Sequence, residues 1–147
     1  MSKSVEEILN FAIDREQDAH DFYTDLATKV ERPGMKDLFN QYAKEEMGHK
    51  NKLIGIKEGK RLAPKAETVM DLKIADYVVD VEADENMDYQ STLILAMKRE
   101  KAAFKLYTDI ANQTEDPELK LVFMALAQEE AKHKLRFEVE YDDAILT

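Results

Sequence analysis

Residues 12–53, AIDREQDAHDFYTDLATKVERPGMKDLFNQYAKEEMGHKNKL, and residues 96–137, AMKREKAAFKLYTDIANQTEDPELKLVFMALAQEEAKHKLRF, share one sequence pattern. With a shift of 84 residues and no gap, 17 of the 42 aligned positions are identical. Unrelated helical sequence of this composition would give roughly four matches, so the chain contains an internal duplication. Two copies are too few for a solenoid and favour a closed unit with approximate two-fold symmetry.

Each copy has the apolar periodicity of two α-helices separated by a short turn. The predicted helices are A (4–30), B (33–58), C (87–114) and D (117–141). Because short turns join A to B and C to D, each pair is expected to form an antiparallel hairpin. The predicted fold is an all-α four-helix bundle of two hairpins with two-fold pseudo-symmetry, in a single domain over residues 1–147.

A long connection, about 59–86, links the two hairpins and is long enough to run the length of such a bundle. Its stretch VMDLKIADYVVDV (69–81) is apolar enough to pack on the bundle as a short helix, or to form a subunit contact.

The helix ends carry recognisable signals. Ser4-Val5-Glu6-Glu7 fits a capping box, and Asp116 fits an N-cap. A proline at the first position of a helix costs no hydrogen bond, which predicts helix starts at Pro33 and Pro117. Helix B is expected to end at Gly59 and Pro64.

Composition excludes several classes of protein. The chain has 147 residues, of which 44% are hydrophobic and 35% charged, so it can bury a core without disulfides. It contains no cysteine, which excludes disulfide scaffolds, thiolate metal sites and thiol nucleophiles. The net charge of −10 disfavours nucleic acid and anionic membranes as partners. Without a signal peptide or a transmembrane-length apolar run, a cytoplasmic location is expected.

The apolar seam of every predicted helix carries a glutamate near its middle, and the seams of B and D also carry a histidine. The glutamates of one hairpin lie about 25 and 20 Å from its turn, a difference that the turn can absorb. Six side chains are therefore expected to meet at one level: Glu16, Glu46, His49, Glu100, Glu130 and His133.

Four buried carboxylates require compensating charge, because burying one unpaired carboxylate costs several kcal/mol. The seams contain no Lys or Arg, whereas two divalent cations would balance four negative charges. The spacing E-x-x-H places Glu and His on one helical face, and two such motifs plus two further glutamates form the known ligand set of dimetal bundles. Oxygen-rich donors with two nitrogens suit iron or manganese, with zinc possible.

The motifs A-x-x-x-E-x-x-A-x-x-x-Y in helices A and C, and E-E-x-x-H in B and D, resemble those of the ferritin-like di-iron carboxylate proteins, specifically the rubrerythrins. The resemblance covers nearly the whole chain. It implies that Glu46 and Glu130 bridge two iron ions and that His49 and His133 bind one ion each. Glu16 and Glu100 would be terminal ligands.

Two features depart from the usual rubrerythrin pattern. A rubredoxin domain with four cysteines is typical of the family, but this chain has none, so electrons are expected from a separate donor protein. Rubrerythrins also have an extra glutamate one turn after the ligand of helix C, where this chain has Ala103. The remaining six-ligand set is more similar to that of bacterioferritin or ribonucleotide reductase small subunits.

By resemblance, the expected function is reduction of hydrogen peroxide or dioxygen by a di-iron centre, in a homodimer. The candidate catalytic residues are Glu46, Glu130, Tyr23 and Tyr107; each tyrosine either hydrogen-bonds a ligand carboxylate or is a core aromatic. A second hypothesis is a ferroxidase that handles Fe(II). A third, of another class, is a structural or interaction bundle whose site is empty or holds zinc.

Other polar residues near the seams receive structural interpretations. His20 is expected to be a packing or surface histidine, since its counterpart is Phe104. The remaining residues lie off the seams and are expected at the surface: Glu45, Glu129, Arg15, Asp25, Arg99 and Asp109.

Overall fold

The computed structural model describes residues 3–62, 69–81, 83–84 and 86–146. In these residues the α-helices are Val5–Lys29 (α1), Met35–Gly59 (α2), Tyr89–Asn112 (α3) and Pro117–Tyr141 (α4). All four predicted helices are confirmed, and each observed end lies within two residues of the predicted one. A short π-helical turn, Asp142–Leu146, follows α4. No helix of the described residues is long and apolar enough to cross a membrane.

The chain divides into two compact units, with the boundary between residues 72 and 73. The first unit holds α1 and α2. Its helices run antiparallel, because His20 contacts Ala43 while the earlier residue Gln17 contacts the later residue Lys50.

The second unit holds α3 and α4 in the same arrangement. Tyr107 of α3 lies against Phe123 near the start of α4, whereas Tyr89 at the start of α3 donates a hydrogen bond to Glu140 near the end of α4. Each unit is therefore an antiparallel helical hairpin, as the short turns predict.

Side-chain caps determine where three of the helices begin. The backbone N–H of Glu7 donates to Ser4 Oγ at 3.1 Å, which confirms the N-cap of α1. Asp116 accepts from the N–H groups of Glu118 and Leu119, and Pro117 is the first residue of α4. An aspartate also caps α3, since Asp88 Oδ1 accepts from the backbone N–H of Ser91 at 2.7 Å.

The prediction that Pro33 begins the second helix is wrong. Helix α2 begins at Met35, and Pro33 lies in the preceding turn, where Gly34 adopts a left-handed conformation with φ of 81°. Pro117 follows an aspartate that caps the helix, but Pro33 follows Arg32, which has no side-chain oxygen to accept from the first N–H groups. The chain direction is reversed by the glycine instead.

The end of α2 also differs in detail from the prediction. Gly59 is the last helical residue, and the left-handed cap is the next residue, Lys60, with φ of 55°. The Lys60 N–H donates to the carbonyls of Ile56 and Lys57. Pro64, the other predicted stop signal, lies outside the described residues.

Replacing Lys60 by glycine should stabilise the protein. A residue with a Cβ is destabilised by about 1–2 kcal/mol in the left-handed region, and glycine avoids this cost. The greater chain entropy of glycine in the unfolded state offsets about 0.4–1 kcal/mol of the resulting gain in stability. We expect Lys60→Gly to raise the free energy of unfolding by about 0.5 kcal/mol in urea titration. The control Glu58→Gly, inside the last helical turn, should lower it by a similar amount. A destabilised Lys60→Gly variant would show that the strain at this cap is absent.

The apolar seams form the core of each hairpin, as predicted. In α1 and α2 the buried seam residues include Leu9, Ala12, Tyr23, Met35, Phe39, Tyr42 and Leu53. In α3 and α4 they include Leu93, Ala96, Tyr107, Ile110, Leu119, Phe123, Leu126 and Phe137. A few predicted seam positions near the hairpin ends and beside the glutamates are only half-buried, such as Val30, Ile56, Ala19 and Ala103.

The stretch 69–81 spans the boundary between the two units and contains only one turn of helix. Val69–Met70 pairs antiparallel with Lys3–Ser4, a two-residue strand pair that the sequence pattern does not predict. A short 3-10 helix follows at Ile74–Tyr77. Its last residue, Tyr77, is buried, and its hydroxyl donates to Asp109 Oδ2 of α3 at 2.7 Å.

Asp109 is therefore not the free surface charge that its position off the seam predicts. Besides the Tyr77 hydroxyl, it accepts from Lys105 Nζ at 3.1 Å, and the same ammonium lies 4.8 Å from the centroid of the Tyr77 ring. Burial and the neighbouring Asp109 carboxylate raise the pKa of the Tyr77 phenol. The equivalent aspartate of the first copy, Asp25, pairs with Lys29 at the surface as predicted.

The Tyr77 hydroxyl should contribute to stability in a pH-dependent way. We expect Tyr77→Phe to lower the free energy of unfolding by about 1 kcal/mol at pH 7, because the bond to a carboxylate is lost. The pKa of the Tyr77 phenol in the folded state lies above its unfolded value of about 10. The free energy of unfolding of the wild type should therefore fall as pH rises above 10, and its difference from that of Tyr77→Phe should shrink.

Urea unfolding at pH 7 to 11 measures both effects. Tyr141→Phe serves as a control, since the Tyr141 hydroxyl accepts from a glutamine amide rather than meeting a carboxylate. An equal, pH-independent loss in both variants would contradict the assigned role of Tyr77.

Candidate metal centre

Each hairpin carries one glutamate on its first helix and an E-x-x-H pair on its second. Because residues three apart in an α-helix share a face, the Glu and His of the pair point the same way. The six residues are at most 4% exposed, and they are Glu16, Glu46, His49, Glu100, Glu130 and His133. The sequence prediction that these polar residues are buried in the seams is thus confirmed.

In the first hairpin the three side chains converge on one point. His49 Nδ1 lies 3.5 Å from Glu16 Oε2 of the neighbouring helix and 3.2 Å from Glu46 Oε1 of its own helix. Each residue offers one donor atom, and these atoms all lie within 4.8 Å of one another. Glu16 and Glu46 therefore lie at the same height along their hairpin, as their distances from the turn predict.

The second hairpin repeats the same arrangement. His133 Nδ1 lies 3.6 Å from Glu100 Oε2 and 3.7 Å from Glu130 Oε1. Its three donor atoms also lie within 4.8 Å of one another. Each hairpin thus holds a buried triad of two carboxylates and one imidazole, and the two triads follow from the same duplicated motif.

The electrostatics of the first triad favour a positive charge at its centre. Burial alone lowers the pKa of the His49 imidazole, but the carboxylates of Glu16 and Glu46 outweigh burial and raise its pKa to about 11. A protonated imidazole balances only one of two carboxylates. Two ionised carboxylates beside one imidazolium would leave an excess of negative charge in a buried environment, which is costly.

The donor atoms fit a divalent transition metal. Two ligands bound at about 2.0–2.2 Å from one ion are separated by roughly 3–4 Å, and the nitrogen-to-oxygen distances in both triads fall in that range. Two oxygens and one nitrogen per hairpin suit iron or manganese, and zinc accepts the same donors.

Aromatic residues pack together in the core of each hairpin. Tyr23, seven residues after Glu16, is 1% exposed; its ring stacks on Phe39 and meets Tyr42 edge-on, both at 6.1 Å between ring centroids. Tyr107 in the second hairpin is equally buried and lies 6.4 Å from Phe123. The predicted hydrogen bonds from these tyrosines to ligand carboxylates stay a prediction.

His20 does not join the triad of its hairpin. Its Nδ1 lies 2.7 Å from the carbonyl oxygen of Ala43, so it donates a hydrogen bond that ties α1 to α2. The interpretation of His20 as a packing residue is confirmed. Arg15 forms an exposed ion pair with Asp18 at 2.7 Å, which agrees with its predicted surface position.

Glu45 and Glu129 depart from the surface positions predicted for them. Both are half-buried, and Oε2 of Glu45 is inaccessible to solvent. Each directly precedes the glutamate of an E-x-x-H pair, so its side chain points about 100° away from the seam while its stem is still covered by the hairpin.

Sequence reasoning missed one buried acidic residue. Glu140 of α4 is 5% exposed; it accepts from the Tyr89 hydroxyl at 2.9 Å and lies 3.7 Å from Arg136 Nη1. Its counterpart in the first copy is Ile56, so the duplication gave no signal. Its burial could have been predicted from its position, because it follows the seam residue Phe137 by three residues and so lies on the same face of the helix. It lies ten residues, about 15 Å, along the helix from Glu130 and is no part of the triad.

Comparison with known proteins finds a matching family and similar solved structures. The sequence model of the family described as Rubrerythrin matches residues 7–141. A solved structure from Thermotoga maritima, described as a ferritin-like diiron-carboxylate protein, is similar with a TM-score of 0.84 and 17% identity over 97% of both chains. A hypothetical protein from Pyrococcus furiosus is similar with a TM-score of 0.73 and 25% identity, over 95% of this chain and 89% of that one.

These comparisons confirm the predicted all-α, ferritin-like fold. No curated protein is significantly similar to the chain. Because the family match covers nearly the whole sequence and both buried triads, this chain belongs to the rubrerythrin family.

Proposed function

We propose that this protein is a non-haem di-iron oxidoreductase that reduces hydrogen peroxide or dioxygen with electrons from a separate donor protein. The observation that carries the proposal is the buried triad of two carboxylates and one imidazole, present in both hairpins. Membership of the rubrerythrin family and the similarity to a protein described as a diiron-carboxylate protein support iron as the metal.

The six triad residues would hold the two iron ions. Following the family pattern, Glu46 and Glu130 would bridge the ions, and Glu16 and Glu100 would be terminal ligands. The histidines would supply one nitrogen to each ion. Four carboxylates would then balance the charge of two divalent ions, which explains how the seams bury them without any Lys or Arg.

Bound iron supplies the electrons for reducing the O–O bond, one from each ferrous ion. The chain supplies the environment in which that chemistry is controlled. Its triads exclude water, since each ligand side chain is almost fully buried. The buried carboxylates would hold the ions, and the phenols of Tyr23 and Tyr107 would hydrogen-bond these carboxylates and orient them.

Electrons would reach the ions from a centre that these 147 residues do not contain. The sequence contains no cysteine, so it provides no thiolate-bound iron of the rubredoxin type. A separate reductase or electron carrier is the proposed partner. The oxidant would be small, because no side chain of a triad is more than 4% exposed.

One observation favours ferroxidase activity as the second candidate. Ala103 occupies the position at which rubrerythrins usually carry a seventh ligand glutamate, and it is half-buried beside Glu100. The resulting six-ligand set is more similar to that of bacterioferritin or ribonucleotide reductase small subunits. In such a protein Fe(II) would be the substrate, and the ferric product would leave the site.

Metal analysis tests the ligand assignment. Protein loaded anaerobically with Fe(II) and freed of excess metal should contain two iron ions per chain. Glu46→Gln should retain about one ion or none, because a bridging ligand serves both. Glu45→Gln, at the neighbouring position outside the triad, should retain both and is the matched control.

Circular dichroism establishes that each variant keeps its helices, so that a folding defect is not read as a binding defect. Equal iron content in Glu46→Gln and Glu45→Gln would contradict the proposed site. Wild-type protein that prefers zinc, or that takes up no metal, would instead support the structural alternative.

Stoichiometry separates the two redox functions. A peroxidase loaded with two ferrous ions should consume one H2O2 per chain, since two electrons and two protons convert it to two waters. With an external reductant it should turn over repeatedly and keep its iron. A ferroxidase would consume added Fe(II) continuously and release ferric product.

Stopped-flow absorbance and iron content after ten turnovers measure this difference. Loss of iron during turnover would overturn the peroxidase assignment in favour of the ferroxidase. A protein whose ferrous ions react with neither oxidant would contradict both redox functions.

A further inference from the structure

The outer side of α3 carries three exposed lysines, Lys98, Lys101 and Lys105. At 100° per residue they fall within about 60° of arc, on a side that points away from the triad residue Glu100. The helix contains one other carboxylate, Asp109, which already accepts two hydrogen bonds. This side of the helix, here called the α3 lysine face, is therefore positively charged in a chain whose net charge is −10.

The duplication provides an internal comparison for the α3 lysine face. In α1 the three equivalent positions are Asp14, Gln17 and Asp21. Helix α1 contains seven acidic and two basic residues, whereas α3 contains two acidic and four basic residues. Both hairpins nevertheless bury the same triad, so packing within a hairpin requires neither charge. The lysines of α3 are therefore a property of its surface and not of the fold.

The lysines also replace residues that balance one another in the first copy. There Gln17 donates through its amide nitrogen to Asp21 at 2.9 Å and accepts through its amide oxygen from Lys50 at 2.6 Å. One negative and one positive charge thus share a polar network. In the second copy all three positions are lysines, namely Lys101, Lys105 and Lys134. Like charges four residues apart on a helix destabilise it, so this exchange does not help the free protein.

Two of the lysines are not compensated by a neighbouring carboxylate. Lys105 and Lys134 each pair with an acidic residue four positions later on the same helix. In contrast, no carboxylate among the residues that the structure describes forms an ion pair with Lys98 or Lys101. A negatively charged partner would remove the repulsion between these lysines, so the arrangement favours a ligand of that sign.

An exposed aromatic ring lies at the edge of the α3 lysine face. Phe104 is 39% exposed and follows Glu100 by four residues, so the two are neighbours on the helix, with Cβ atoms about 5–6 Å apart. Its counterpart in the first copy, His20, is half-buried and tied to the carbonyl of Ala43. A molecule that covers the α3 lysine face and Phe104 therefore comes within one turn of helix of a triad ligand.

We propose that the α3 lysine face and Phe104 bind an acidic protein that carries single electrons, and that electrons enter the metal centre beside Glu100. The inference rests on the proposed function, which requires a separate electron donor, and it adds the docking surface and the charge of that donor. Each docking event oxidises the carrier by one electron and reduces one ferric ion to the ferrous state, so two events restore the pair. No covalent bond forms or breaks.

The composition of this surface fits a transient redox complex. Protein interfaces commonly combine an apolar centre with a polar rim, as an exposed ring beside lysines does. Electron-transfer complexes are small, at less than about 1,200 Å² in total, so the side of one helix can form a large part of one.

The range of the charge interaction favours a compact partner. Attraction to the lysines acts within a Debye length of about 10 Å, whereas the net charge of −10 repels anions elsewhere on the surface. An acidic protein that touches only the α3 lysine face is therefore favoured over a nucleic acid or an anionic membrane, which would also meet acidic surface.

A titration tests binding separately from electron transfer. Isotope-labelled protein is titrated at about 20 mM ionic strength with an oxidised flavodoxin chosen for a strongly negative net charge, and NMR shifts locate the contact. We expect the largest shifts at residues 97–105. Lys98→Glu/Lys101→Glu should raise the Kd at least about tenfold, because two attractions become repulsions. The matched control Lys44→Glu/Lys52→Glu changes two exposed lysines of α2, gives the same net charge and should leave the Kd within about twofold.

The rate of electron transfer gives a second readout. The iron-loaded, oxidised protein is mixed with the reduced flavodoxin in a stopped-flow instrument. The second-order rate constant should be about tenfold lower for Lys98→Glu/Lys101→Glu than for the wild type and the control. This difference should disappear in about 0.5 M salt, because screening removes the attraction. A small uncharged quinol should reduce all three proteins at one rate, since it needs no docking surface.

Circular dichroism establishes that both variants keep the helix content of the wild type. The proposal is overturned if the flavodoxin does not bind, if the shifts lie outside α3, or if the two variants bind with equal affinity. It is also overturned if the lysines are needed only for RNA or anionic vesicles, which are titrated in parallel. Iron-loaded wild type that accepts no electrons even from the quinol would contradict the proposed function, whereas the titration would still decide the docking surface.

Discussion

The burial of two carboxylates beside one imidazole in each hairpin is the constraint on which this protein depends. An isolated carboxylate in a dry interior costs several kcal/mol, comparable to the net stability of a small domain. The cost is acceptable only if positive charge reaches the centre of the triad. In the first hairpin a proton on His49 provides part of it, because Glu16 and Glu46 hold the imidazole pKa near 11. A divalent ion would provide more, and it fits the donor separations already present in both triads.

Much of this architecture is predictable from the sequence because two signals reinforce each other. The apolar spacing identifies four helices, and the duplication shows that the seam glutamates and histidines keep one register in both copies. The burial of all six triad residues follows from that register alone. Helix ends capped by a short polar side chain, such as Ser4 and Asp116, are predictable for the same reason: the cap and its partner N–H groups are neighbours in sequence.

The features that were missed depend on contacts between segments distant in sequence. Asp109 is off the seam, and only its contact with Tyr77, 32 residues earlier, removes it from the surface. Glu140 is covered because Tyr89, 51 residues earlier, lies at the same end of the hairpin. Pro33 shows a different limit. Proline is compatible with the first turn of a helix and with the turn that precedes the helix. The neighbouring residues decide between the two: Arg32 has no side-chain oxygen that could cap a helix, and Gly34 adopts a left-handed conformation.

The two copies of the repeat have the same residues at the buried triad positions but different residues at many exposed positions. Each triad needs three particular side chains at particular spacings, and a change of one leaves buried charge uncompensated, so inner positions have little freedom. Outer positions are under no such restriction, and they differ: the apolar Leu121 and Leu135 of α4 correspond to Asp37 and Asn51 of α2. Exposed apolar side chains add nothing to the packing of a hairpin and favour non-specific association. The duplication thus gave two equivalent buried triads, whereas the outer surfaces of the helices diverged.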